Sequence, residues 1–176
     1  MRSLKIFLFL VGSLGLFAVN CKKEPDPRPE TDYEPILIKR DKLTNELIKW
    51  QPPQAIKQPG KIYYKDSFIF INQKYEGLHV VRSQASGQLE KVGFIRIPGN
   101  LDVAIKGSTL YADNATDLIA IDLQQLIEDQ SVQITKRVKN ALPGYSPPDN
   151  GRIPEAYQQE NRPPNTVIVR WKPTSN

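Results

Sequence analysis

Phe68-Ile69-Phe70-Ile71-Asn72-Gln73-Lys74-Tyr75-Glu76-Gly77-Leu78-His79-Val80-Val81 is the stretch on which the fold class turns. Its first four residues are aromatic or β-branched without a polar break, which suits a short strand in a sheet covered on both faces. Asn72 to Gly77 then supplies turn-forming residues before the apolar run resumes, so the whole stretch predicts a hairpin. Moved along the chain by 41 residues, it meets a second copy of itself: Lys65 falls on Lys106, Ser67 on Ser108, Ile69 on Leu110, Phe70 on Tyr111, Asn72 on Asp113, Glu76 on Asp117, Leu78 on Ile119 and Val80 on Ile121. A period of about 40 residues filled with short strands is that of a propeller blade, with four strands per unit.

Outward from this pair, the first unit spans 61–100 and carries strands at Lys61–Tyr64, Phe68–Asn72, Gly77–Arg82 and Leu89–Ile97. The second spans 101–142, with strands at Leu101–Lys106, Thr109–Asp113, Leu118–Asp122 and Val132–Val138, and a helical turn over Leu123–Asp129. The expected fold class is therefore all-β: two antiparallel propeller-type blades, an incomplete β-propeller. Upstream, Leu43, Leu47 and Ile48 recur at helical spacing behind Asp41, a plausible N-cap, which predicts one short N-terminal helix within a helix-and-linker segment 36–60. Downstream, residues 143–165 form a long proline-rich loop, and 166–176 hold a β-branched terminal strand, Thr166–Trp171, and a tail.

The first twenty residues have a different purpose. Arg2 and Lys5 precede an apolar run interrupted by Gly12, Ser13 and Gly15, the layout of a removable export signal over 1–20. Cys21 follows at once and is the chain's single cysteine, so neither an internal disulfide nor a cysteine-rich zinc site is available. Phe17-Ala18-Val19-Asn20-Cys21 resembles a bacterial lipobox, although Ala18 and Asn20 stand where leucine and a small residue are usual. That resemblance implies acylation of the Cys21 thiol, attachment to a membrane through the N-terminal lipid, and the outer membrane of a cell envelope as the location. Two buried acyl chains suffice for stable anchoring. Cys21 to Pro35 is charged and proline-rich and predicts a flexible tether. Without Arg2 and Lys5 the chain keeps 22 basic and 19 acidic residues, a net charge of +3 with no clustered basic stripe, so no nucleic-acid partner is expected.

The repeat segments, from Gly60-Lys61-Ile62-Tyr63 through Ile97-Pro98-Gly99-Asn100-Leu101-Asp102-Val103-Ala104-Ile105-Lys106-Gly107 to Asp117-Leu118-Ile119-Ala120-Ile121-Asp122, are similar to the LVIVD-repeat lipoproteins of Bacteroidetes-type bacteria. The similarity covers over half of the chain after the signal. It implies a β-propeller-like scaffold of the cell envelope and brings no catalytic residues with it. Two units are fewer than the 4 to 8 blades of closed propellers, so a different closure, further copies or a partner must cover the sheets.

Little in the sequence speaks for catalysis. One histidine, His79, sits within a strand and is replaced by Ala120 in the second unit, which removes the usual base of a triad. Asp113-Asn114-Ala115-Thr116-Asp117 is rich in oxygen ligands but lacks the ladder of a calcium loop, and its equivalents Asn72 and Glu76 recur as turn formers. No metal and no cofactor are expected. Residues that do not recur are better candidates for partner binding: Tyr75, Tyr145, Arg152, Tyr157 and Arg162 lie in predicted loops and are of the types enriched at binding hot spots. The expected function is a non-catalytic, lipid-anchored scaffold or binding module for an envelope protein or a surface glycan, with self-association as a further possibility. The rival expectation is a carbohydrate-active hydrolase using a carboxylate pair.

Overall fold

The computed structural model describes residues 26–44 and 46–174. The signal segment and Cys21 lie outside the described residues. Strand makes up 47% of the structure and helix 9%, in several antiparallel sheets, so the all-β expectation holds.

Eleven strands form three sheets among the described residues. The first sheet has the order β2 (Lys49–Gln51), β6 (Leu89–Arg96), β5 (Gly77–Ser83), β4 (Phe68–Gln73), β3 (Pro59–Lys65). The second has the order β10 (Ile134–Val138), β9 (Asp117–Asp122), β8 (Thr109–Asn114), β7 (Val103–Lys106), and a helix α1 (Leu123–Glu128) is inserted between β9 and β10. Asp122 caps α1, its Oδ1 accepting the Gln125 N–H at 2.9 Å. The third is a two-stranded ribbon that joins the two ends of the fold, β1 (Tyr33–Lys39) against β11 (Thr166–Pro173).

The short N-terminal helix is not formed. Arg40–Leu43 makes one 3₁₀ turn, and the rest of the segment read as helix and linker supplies most of β1, then β2 and the start of β3. Leu43 packs with Val167, Val169 and Ala115, while Ile48 belongs to the main core with Phe70 and Ile95. A helix would have carried Leu43, Leu47 and Ile48 on one continuous element, whereas the chain passes from one core to the other between Leu43 and Ile48. The tether also stops earlier than its composition suggests. Glu30 bridges Arg152, the Thr31 hydroxyl donates to Asp149, and β1 begins at Tyr33.

The two larger sheets share one core. Phe68, Phe70, Leu78, Val80 and Ile95 from the first, with Ile97 just past β6, pack with Val103, Leu110, Ala112, Ile119 and Ile121 from the second, and Leu123 and Leu126 of α1 complete the cluster. Burial on this scale is the main stabilising contribution, at roughly 1.5–3 kcal/mol for each large side chain removed from water.

The repeat is real in its turns and inverted in its faces. The hairpins β3–β4 and β7–β8 both close on two residues, Asp66-Ser67 and Gly107-Ser108, the first of each at positive φ, 55° and 60°. An offset of 41 therefore equates Phe70 with Tyr111, as in the sequence. Phe70 is fully buried in the shared core, but Tyr111 is half-buried on the opposite side of its sheet, and Leu110 takes the inner position. The next hairpins differ by one residue, Gln73 to Gly77 enclosing three and Asn114 to Asp117 enclosing two. The equivalence then falls to 40, and Val80 corresponds to Ala120 rather than to Ile121. Because side chains alternate along a strand, the back of the first sheet rests on the front of the second. The edge strands β3 and β7 approach one another at this interface.

Candidate functional site

A cleft of about 320 Å³ opens between the β1–β11 ribbon and one end of the first sheet. Ile36 and Ile38 of β1, Val169 of β11, Phe94 of β6 and Pro98 form its apolar lining. Tyr75, Glu76, Arg96, Arg170, Gln51 and Gln54 supply the polar groups. An apolar lining with a few polar groups directed into it is the usual make-up of a binding cleft.

Tyr75 is held by its backbone. It lies at φ 66° in the β4–β5 turn, its N–H donates to Asn100 O at 2.6 Å, and its carbonyl accepts from Gly99 N at 2.9 Å. Its ring meets the edge of Tyr145 at 5.7 Å between centroids. The Tyr145 hydroxyl donates to Gly99 O and stands 3.4 Å from Asp113 Oδ2, while Trp171 Nε1 donates to Tyr145 O at 3.1 Å. Burial pushes the phenols of both Tyr75 and Tyr145 up, for Tyr145 with the Asp113 carboxylate adding to the effect.

Beneath these rings is a polar stack. Asp113 Oδ1 accepts from Leu101 N at 2.8 Å, Asp102 N at 2.9 Å and Asn100 Nδ2 at 2.6 Å. Burial raises the Asp113 carboxyl above its ordinary range although these donors oppose the rise. Asp102, in turn, accepts from the Tyr63 hydroxyl and pairs with Lys61. Burial and the Asp102 carboxylate push the Tyr63 phenol up to about 12. Asp113 thus uses its oxygens to fasten the connection between the two sheets. Among the described residues no three of His, Cys, Asp and Glu gather as a metal site.

On the outer side of the first sheet, Gln73 Oε1 accepts the Lys57 N–H at 3.1 Å and meets His79 Nε2 at 2.8 Å. Since that oxygen can only accept, His79 Nε2 carries a proton. Burial, with Lys91 nearby, lowers the His79 pKa, so the ring is neutral at pH 7. It stacks edge-on against Phe94 at 4.9 Å and so supports the cleft lining. Gln73 Nε2 donates to Glu76 Oε2, and Glu76 Oε1 lies 3.8 Å from Arg170 Nη1. Arg96 has no ion-pair partner among the described residues and is exposed at the cleft.

The five residues singled out from the sequence do not form one surface. Tyr75 lines the cleft and Tyr145 backs it. Arg152 fastens the incoming chain, its N–H donating to Pro29 O at 2.7 Å and its Nη2 to Glu30 Oε1 at 2.8 Å. Tyr157 ends a 3₁₀ turn in the long loop, half-buried. Arg162 is desolvated beside Arg40, which lowers its pKa. Sequence reasoning missed Ile36, Ile38, Phe94, Arg96, Val169 and Arg170. The alternation Ile36/Ile38 and Val167/Val169 hinted at two strands, but no local signal showed that strands at opposite ends of the chain would pair.

Comparison with protein-family models, with curated proteins and with solved structures returns no match.

Proposed function

We propose that this chain is a non-catalytic, lipid-anchored protein of the cell envelope, built on two propeller-type blades, and that the cleft beside Tyr75 binds an envelope protein or a surface glycan. The cleft is the observation that carries this reading. It combines an apolar lining with a fixed tyrosine and Arg96, which has no ion-pair partner among the described residues, and Tyr and Arg are the residue types that dominate binding energy at interfaces. Attachment through a lipid on Cys21 rests on the signal-like leader and the lipobox resemblance, and the blade reading rests on the repeat and its front-to-back stacking. A hydrolase with a carboxylate pair has less support here, since the cleft is lined by one acid, Glu76, and that acid faces Arg170.

The test is affinity capture of the protein from its own membrane, with the mass of the Cys21 peptide read in the same sample. The expected result is an acylated N-terminal cysteine and one co-purifying protein or glycan that is lost in Tyr75→Ala and Arg96→Glu. An unmodified Cys21 overturns the anchor. A partner retained by both variants overturns the assignment to the cleft.

A further inference from the structure

The charges of the cleft beside Tyr75 do not balance. Two guanidinium groups, Arg96 and Arg170, share it with one carboxylate, Glu76. Arg96 is exposed and has no ion-pair partner among the described residues. Arg170 Nη1 stands 3.8 Å from Glu76 Oε1, longer than a direct hydrogen bond, and the two side chains are 48% and 46% exposed. A pair so open and so long contributes little, which leaves Arg170 available to a ligand. The other oxygen of Glu76 accepts from Gln73 Nε2, so this carboxylate is shared with the neighbouring turn and is not given wholly to an arginine. The cleft keeps one positive charge in excess, on groups that retain most of their hydrogen-bonding capacity.

We infer that the occupant of the cleft is a protein segment in which a carboxylate stands beside aliphatic side chains, an acidic stretch of the type Leu-Asp-Leu. The inference rests on reading the cleft as a binding site and specifies what that site takes. Arg96 offers a planar fork that can hold a carboxylate through two parallel N–H···O bonds, and Arg170 adds further donors beside it. Gln51 and Gln54, joined by a bond from Gln54 Nε2 to Gln51 Oε1 at 2.8 Å, bring amides that can meet a peptide backbone. The remaining lining is largely aliphatic, with Ile36, Ile38 and Val169 from the ribbon and Pro98 opposite. A glycan would set hydroxyls against these side chains, and each hydroxyl left without a partner costs free energy. Nor do the rings offer a sugar an open platform, since Phe94 is 2% exposed and Tyr75 is already engaged by Tyr145. At about 320 Å³ the cleft lies near the lower limit of roughly 300 Å³ for ligand sites, which suits a few side chains and not a long acyl chain.

The test uses the full chain carrying Cys21→Ser and four probes: acetyl-Leu-Asp-Leu-amide, its Leu-Asn-Leu isostere, acetyl-Ala-Asp-Ala-amide, and the methyl glycoside of galacturonic acid, which has the same charge as the acidic peptides. Dissociation constants are read from amide chemical-shift titrations at low salt. Leu-Asp-Leu should bind at least about tenfold more tightly than each of the other three. Arg96→Gln should remove most of the preference for Asp over Asn while leaving the affinity for Leu-Asn-Leu nearly unchanged. Glu76→Gln should tighten Leu-Asp-Leu about threefold or more, because it takes a like charge away from the ligand carboxylate, a gain that a damaged fold could not produce. Equal binding of the Asp and Asn peptides overturns the inference, as do tighter binding of the uronate, an undiminished preference in Arg96→Gln, weaker binding in Glu76→Gln, or binding of none of the probes. The capture experiment reads whether the cleft is engaged at all. A partner lost in Tyr75→Ala alongside any of these results would keep the cleft as a binding site and remove only its preference for an acidic peptide, so the two failures are distinguishable.

Discussion

In the first sheet the β4–β5 corner is held by Gln73, which joins His79, the Lys57 amide and Glu76. In the second sheet the β8–β9 corner is held by Asp117, which takes Arg137 at 2.9 Å, Arg40 at 3.4 Å and the Asn140 N–H at 3.1 Å. The corners are equivalent in the repeat but face opposite ways. Gln73 lies on the outer side, where amides and a neutral imidazole hold the β4–β5 turn. Asp117, with a side chain 7% exposed, lies where the ribbon meets the second sheet. There Arg137 also donates to Leu43 O at 2.8 Å and Asn114 Oδ1 at 2.8 Å, so one ion cluster joins both. Front-to-back stacking gives corresponding turns unequal surroundings, and the repeat diverges where the surroundings differ.

Truncating the same sequence position in each sheet should give the strongest contrast. Phe70→Ala should lower the free energy of unfolding by about 4 kcal/mol, because it empties a fully buried ring site. Tyr111→Ala, its turn-matched equivalent, should lower it by about 1 kcal/mol or less in the same urea titration. Equal losses would show that both residues face the core and that the inversion is wrong.

Next in size is the ion cluster. Asp117→Ala leaves Arg137 buried without its carboxylate and should cost about 3 kcal/mol, at the low end for such a cut because Arg40 is partly exposed. Gln73→Ala, at the other corner, should cost about 1.5 kcal/mol, through loss of hydrogen bonds in which the Glu76 carboxylate is the one charged partner. Losses of the same size at both positions would contradict the division between a corner built on a buried ion cluster and one built on an amide.

A smaller effect is expected at Gly77, which stands where Asp117 stands in the second sheet. Its φ is 141°, and an added Cβ would sit 1.9 Å from Ile95 O, so Gly77→Ala should cost about 2 kcal/mol through strain and crowding. An unchanged urea midpoint would mean that the turn relaxes freely.

The smallest effect concerns the Gln73 corner. The His79 pKa is lowered in the folded state, so the unfolded chain takes up the proton first as pH falls. Its contribution is present in full above the ordinary value near 6.5 and is lost as pH falls from there through the folded value. The urea midpoint should therefore drop between pH 7 and pH 5 in the parent, and drop less in His79→Gln. Parallel pH profiles for the two proteins would remove His79 from the account.

The strands of both repeats and the helical turn at Leu123 were legible because period-2 runs and their Gly, Asp and Asn punctuation are local. The facing of those strands was not. Phe70 and Tyr111 are alike as residues, and only the one-residue difference between two turns, seen beside the packing, shows that they point apart. The helix expected over Asp41–Ile48 failed for a related reason. Leu43, Leu47 and Ile48 together carry a helical spacing, yet Leu43 and Ile48 are claimed by different cores, and tertiary packing outweighed local propensity. Of the cleft, Tyr75 was legible as a turn tyrosine with no counterpart in the second unit. Arg96 and Arg170 lie within strands, and nothing local marks a strand arginine as part of a cleft.

The ribbon that closes the fold has a mechanical side. Tyr33 is opposite Pro173, and Thr174 N donates to Asp32 O at 2.9 Å, so the chain enters and leaves at the same end of an antiparallel ladder. A load drawn between the two termini would peel that ladder open rung by rung instead of shearing all rungs together. Tension would thus be spent on the ribbon first, leaving the two stacked sheets intact while the molecule lengthens.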